Sequence, residues 1–183
     1  MKQNSIIKLL FLPAFTVAVV SSSAYAEDSQ QITFTGTLTD QTCSAEGSDK
    51  QVTVPFGTYP AATFATAGTK SPAKKFEIKL TGCPEGINAP FITFSGTSSK
   101  TSADGAAIFE NTATGGATNI GAVIYDKDGK GFTNNTKADS GAVISGGNGA
   151  IPLTANLIST GTAGLGAENG DINIPVTFSL SYN

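Results

Sequence analysis

The alternation of apolar and polar positions along this chain describes strands rather than helices. In "QITFTGTLTDQTCS", Ile32, Phe34, Gly36 and Leu38 fall on one face while Thr33, Thr35, Thr37 and Thr39 fall on the other, the period of two that a half-buried strand requires. "QVTVPF" repeats the pattern at Val52, Val54 and Phe56, and "KKFEIKLTGC" repeats it at Phe76, Ile78 and Leu80 before Cys83. The connection from Gly57 to Pro72 reads as a loop or one short helical turn. "APFITFSGTSS" sets Phe91 opposite in direction to Ile92 and Phe94, with Gly96 ending the run. From Ser98 to Thr118 the residues are small and polar apart from Ile108 and Phe109, which predicts a short strand inside a long loop.

"NIGAVIYDKDGKGFT" has the form of a hairpin, with Val123 and Tyr125 on one face, Asp128-Gly129 at the turn and Phe132 on the return. "GAIPLTANLIS" and "DINIPVTFSLSYN" supply the last two strands, separated by the glycine-rich "TGTAGLGAENG". Pro152 and Pro175 are expected near strand starts or on edges, where a missing N–H is tolerated. No segment sustains a helical period with caps, so the fold class is all-β, a Greek-key sandwich of the immunoglobulin type. A complete sandwich would need one more strand beside "DINIPVTFSLSYN", so the expectation is an incomplete sandwich lacking its final strand.

Composition narrows the setting. Residues 1–26 read as a secretory signal, with Lys2 and Lys8 in a basic start, a largely apolar run from Leu9 to Val20, and Ala24-Tyr25-Ala26 as a small-x-small cleavage pattern. The apolar run is too short to span a membrane, and no span is expected in the mature chain. Removing the signal leaves 183 minus 26, or 157 residues, enough for one domain with a real core. All 11 basic residues are Lys and two lie in the signal, while all 14 acids follow it, so the mature chain carries 9 minus 14, or −5. That balance argues against a nucleic-acid partner.

Cys43 and Cys83 are the only cysteines, and export to an oxidising compartment makes the pair a disulfide rather than a redox or metal site. The chain has no His, no Arg and no Trp. It therefore lacks the commonest general base and metal ligand and any bidentate clamp for phosphate or carboxylate. No catalytic residue, metal ligand or cofactor is expected, and a secreted enzyme has no constellation to support it.

The order of these pieces resembles the subunits of chaperone–usher pili, in particular the type 1 pilin and its tip-fibre relatives. The resemblance covers essentially the whole mature chain. It rests on the alternating strand that leads into the first cysteine ("ITFTGTLTDQTCS"), the second cysteine after a strand ("FEIKLTGC"), "FITFSGTSS", "GAVIYDKDGK", and the terminal glycine-to-tyrosine pattern met by Gly170 and the penultimate Tyr182.

The resemblance implies an immunoglobulin-like domain without its last strand, with a hydrophobic groove beside the C-terminal strand. A periplasmic chaperone fills that groove first, and at the outer-membrane usher the N-terminal extension of a neighbouring pilus subunit replaces it. Carried over to this chain, residues 27–40 are the donor segment with Ile32, Phe34, Gly36 and Leu38 inserting, and residues 41–183 are the pilin domain. Val176, Phe178, Leu180 and Tyr182 border the groove, Gly170 opens the terminal pattern, and the Asn183 carboxylate anchors the chaperone. Gly36 reads on its own as a strand bulge; the resemblance implies instead a site where the groove narrows until only a hydrogen fits. Only Glu27 to Gln31 precede the alternating run, so the donor segment overlaps the stretch just before Cys43. The implied localisation is export through the periplasm to fimbriae on the cell surface. The implied function is a structural subunit contributing to adhesion, with a minor tip or receptor-binding subunit as the alternative.

Other motifs carry less. "DKDGKG" from Asp126 begins like a calcium loop, but Lys130 takes a ligand position and Lys137 stands where the closing Glu would be, so it reads as a turn. "GTSSK" ending at Lys100 lacks the phosphate-loop spacing, and "GTAGLG" from Gly161 precedes a strand instead of opening a helix. "NNT" at Asn134 matches the glycosylation sequon and reads as surface loop. Lys70, Lys74, Lys75 and Lys79 form either a basic patch facing a neighbour or solvated edge lysines that discourage unwanted pairing.

Overall fold

The structure, a computed structural model, describes residues 42–46, 52–161 and 165–182, all within the unit Thr39–Asn183. Ten strands are described: β1 (Ser44–Ala45), β2 (Lys74–Thr81), β3 (Phe91–Gly96), β4 (Lys100–Thr101), β5 (Ala107–Glu110), β6 (Ile120–Asp126), β7 (Ala138–Asp139), β8 (Val143–Ser145), β9 (Asn148–Ser159) and β10 (Val176–Ser181). The larger sheet runs β1-β2-β9-β6-β5-β4, with β8 also paired to β9, and the smaller runs β10-β3-β7. Every described pairing is antiparallel. The architecture is the all-β, immunoglobulin-like sandwich that the strand pattern predicts.

Period-two patterning places the core. Ile78 and Leu80 of β2 are buried while Lys75, Glu77 and Lys79 stand exposed between them. They meet Ile151 and Leu153 of β9, and Ile92 and Phe94 from the facing sheet, in one apolar cluster. Phe132 enters that cluster edge-to-face with Phe94, centroids 4.9 Å apart, a geometry aromatic pairs prefer. The return of the expected hairpin is present, because the Phe132 amide donates to the Ile124 carbonyl at 3.0 Å. Ile108 and Phe109 lie on the buried strand β5, as the isolated apolar pair predicts. Cys43 and Cys83 form a disulfide, S–S 2.09 Å, that ties the residue before β1 to the end of β2.

Two expectations need correction. Val52–Phe56 is not a strand: Pro55 removes a ladder donor, and Phe56 and Tyr59 pack instead beside Phe64 on Ile120 and Leu157. A short 3-10 turn at Ala61–Phe64 completes this strap. Pro152 sits inside β9 and meets the edge alternative of the expectation. It is tolerated because β6 pairing ends at Leu153 and β8 pairing at Ala150, so among the described residues the only ladder partner at Pro152 is Glu77 of β2. The last strand begins at Val176, not Asp171; Pro175 does precede its first residue, as expected of a strand start. The signal (1–26), the donor segment (27–40) with Ile32, Phe34, Gly36 and Leu38, and Asn183 lie outside the described residues.

Candidate functional site

β10 lies antiparallel on β3, with Val176 opposite Gly96, Phe178 opposite Phe94 and Leu180 opposite Ile92. Val176, Phe178 and Leu180 turn toward the core, and Thr177, Ser179 and Ser181 turn to solvent. The two partners of this ladder are covered very differently. Ile92 and Phe94 are 0% and 3% exposed, whereas the three β10 side chains on the same core face are only half-buried. Among the described residues β10 has a ladder on one edge only. An edge of this kind presents unpaired N–H and C=O groups and templates strand addition.

The opposite rim belongs to the larger sheet. Its edge strand β1 pairs with β2 over two residues, Ser44 with Thr81 and Ala45 with Leu80. At one end the rims are joined: the Tyr182 hydroxyl donates to the Cys43 carbonyl at 3.2 Å. Burial pushes the Tyr182 phenol above its ordinary value, against the opposing pull of the Cys43 hydrogen bond.

The other edge of β3 is closed. The Asn134 side chain accepts from the Gly96 amide at 3.1 Å and donates to the Gly96 carbonyl at 3.0 Å. The Asn135 amide donates to Phe94 at 2.8 Å, and β7 pairs with Phe91 and Ile92. Asn134 thus acts as a one-residue strand, and its amide nitrogen is committed to Gly96 rather than presented as a free acceptor for a glycan. Sequence reasoning saw only a sequon here. Gly96 is itself sterically required, since a Cβ there would lie 2.9 Å from the buried Phe109 ring and 3.1 Å from the Pro175 carbonyl.

The remaining candidates disperse. Val176, Phe178, Leu180 and Tyr182 come together along one flank, but Gly170 sits upstream of β10 against Gly116 and Ala117. Lys70 leaves the lysine cluster: its ammonium donates to Asp104 at 2.8 Å and to the Tyr125 hydroxyl, and lies 4.8 Å from the Tyr125 ring centroid. Lys70 and the Ser102 hydroxyl hold the Asp104 carboxyl well below the usual carboxylate range. Partial burial opposes the charge on Lys70, yet its hydrogen bonds to Asp104 and Tyr125 outweigh that and raise it above its ordinary value. In "DKDGKG" the Asp126 carboxylate accepts from the amides of Asp128 and Lys130, both at 2.8 Å, which is turn chemistry. Among the described residues no cluster of His, Cys, Asp or Glu could hold a metal, and no helix is long and apolar enough to cross a membrane.

These features define an immunoglobulin-like sandwich with one incompletely covered flank beside its last described strand. The family described as Fimbrial protein matches residues 32–183, and the chain belongs to it. Long polar fimbria protein A of Salmonella typhimurium is 32% identical over 91% of this chain and 92% of its own length. The S-fimbrial adhesin protein SfaS of Escherichia coli is 30% identical over 96% of this chain and 98% of its own. Among solved structures, a chain of a chaperone–usher pilus superposes with a TM-score of 0.62 at 18% identity, covering 86% of this chain and 97% of that one; at that identity the likeness concerns the fold. The protein is a fimbrial subunit, a structural component of fimbriae exported to the cell surface and not an enzyme.

Proposed function

We propose that this fimbrial subunit is of the chaperone–usher type and polymerises by donor-strand exchange. In this reading a periplasmic chaperone first occupies the flank beside β10, with the Asn183 carboxylate as its anchor, and delivers the subunit to an outer-membrane usher. There residues 27–40 of a neighbouring subunit replace the chaperone, and domain 41–183 is the acceptor. The observation that carries the reading is the half-burial of Val176, Phe178 and Leu180 on a strand laddered at one edge.

A strand added in trans covers both deficits at once. Burial of Ile32, Phe34 and Leu38 contributes about 1.5–3 kcal/mol each, and each new backbone hydrogen bond about 0.5–1.5 kcal/mol. Deleting residues 27–38 tests this: the expected product is a chaperone-bound monomer that cannot enter a fibre, and normal fibres from that deletion overturn the reading.

A second reading, a subunit that itself binds a host receptor and contributes to adhesion, is favoured by one observation. A relative named as an adhesin matches along almost the whole of both chains, so this single-domain length accommodates such a protein. Glycan-array binding by isolated fibres supports that reading, and its absence removes it.

A further inference from the structure

The register of β10 on β3 has no local source. A hairpin sets register through its turn, but β3 ends at Gly96 and β10 begins at Val176. The preceding connection, residues 160–175, is long and glycine-rich. A slip of one residue would turn Thr177, Ser179 and Ser181 to the core and Phe178 and Leu180 to solvent. On a closed strand full burial penalises that slip, but here the apolar face is half-covered, so packing discriminates less.

Asn111, just after β5, divides its side-chain hydrogen bonds between its own loop and the segment that leads into β10. Its Nδ2 donates to the carbonyls of Ala117 at 2.8 Å and Asp171 at 2.9 Å. Its Oδ1 accepts from the amides of Asn173 at 2.7 Å and Ala113 at 3.3 Å. Beside it, the Thr112 amide and hydroxyl both donate to the Asn173 carbonyl, at 2.9 and 3.2 Å, and the Ala117 amide donates to the Asp171 carbonyl at 3.0 Å. Gly170 then acts as a key: a Cβ there would lie 2.3 Å from the Ala117 nitrogen and 2.4 Å from the Gly116 carbonyl carbon. A slip of one residue either way would place Asn169 or Asp171, each with a side chain, in a slot bounded by backbone.

We propose that Asn111 is the positioning residue that fixes the register of β10, with Gly170 as its steric stop. It acts by referring the approach segment to the buried strand β5. Resting on the strand-acceptance reading above, the same clamp decides which side chains the open flank shows to an incoming strand.

The test uses the full mature chain carrying Thr93→Cys and Ser179→Cys, which face each other in the observed register. Cross-linking should be nearly complete in this background and fall below about half when Asn111→Ala is added. Amide exchange across 176–181 should accelerate about ten-fold, as expected for losing several hydrogen bonds at the strand's anchor, while β2, β6 and β9 keep their protection. Asn111→Asp, which retains the Oδ1 acceptor and loses both donors, should fall between; it serves the same comparison if Asn111→Ala does not accumulate. Undiminished cross-linking and unchanged exchange in both variants overturn the inference. A shifted register with undiminished capture of a peptide spanning residues 27–40 upholds the clamp and counts against the acceptance reading instead.

Discussion

The Tyr182 hydroxyl donates to the Cys43 carbonyl across 3.2 Å, joining the residue after β10 to the residue before β1. Cys43 is also disulfide-bonded to Cys83, so this polar link between the two rims is made to a point that is itself covalently fixed. Tyr182→Phe keeps the ring and removes the link. Its expected cost at neutral pH is about 0.5–1.5 kcal/mol, the net worth of one hydrogen bond, measured as a lower urea midpoint with unchanged m-value.

The same pair makes an alkaline prediction. Burial raises the Tyr182 phenol in the folded chain above the 10.0 of an unperturbed tyrosine, so the unfolded chain releases that proton first. The stability this contributes is complete below pH 10 and lost as pH rises from there through the folded value. Denaturation midpoints of the parent should fall over that range more steeply than those of Tyr182→Phe; parallel curves would exclude the effect.

Asp104 predicts the opposite limb. Lys70 and Ser102 depress its folded value, so its stabilisation is present above the ordinary carboxylate range and is lost as pH falls through and below about 4. Because Lys70 and Asp104 are 34% and 45% exposed, solvent screening limits the loss in Asp104→Asn to less than about 1 kcal/mol at neutral pH. Acid titration of thermal stability should show a shallower fall in the variant.

Gly96→Ala is expected to cost about 1–3 kcal/mol through overpacking. The added carbon would meet the ring of Phe109, itself 0% exposed, and the Pro175 carbonyl at the entrance to β10. Either Phe109 leaves its place in the core or β10 retreats from β3. Urea unfolding gives the magnitude, and exchange at 176–178 tells which of the two gives way.

How far the chain was legible in sequence depends on how local the determinants are. β2 could be read directly because Phe76, Ile78 and Leu80 alternate with Lys75, Glu77 and Lys79, and burial follows that alternation. Val52, Val54 and Phe56 alternate equally well but do not form a strand, because Phe56 is used as one grip of a strap over Ile120 and Leu157. On β10 the core-facing positions Val176, Phe178 and Leu180 likewise follow the alternation. The residues that hold the site's frame follow no such pattern: Asn134 substitutes for a strand on Gly96, 38 positions away, and Asn111 reaches Asn173, 62 positions away. Each is a polar residue in a polar stretch, distinguished only by a distant backbone partner.

Phe178 tests strand acceptance energetically. Its ring faces Phe94 across the ladder yet remains half-buried, so in the open subunit Phe178→Ala forfeits only part of the about 3–5 kcal/mol that removing a buried phenylalanine costs. If a donor strand covers the flank as proposed, the same ring is enclosed and the same deletion leaves a cavity. The penalty should therefore be larger in the strand-filled form than in the open form, by about 1–2 kcal/mol if half of the ring's contact is made by the donor. A thermodynamic cycle over parent and variant, with and without a peptide spanning residues 27–40, measures that difference as a loss of peptide affinity of about ten-fold or more. Equal penalties in the two forms would mean that the incoming segment does not cover Phe178 and seats elsewhere on the sandwich.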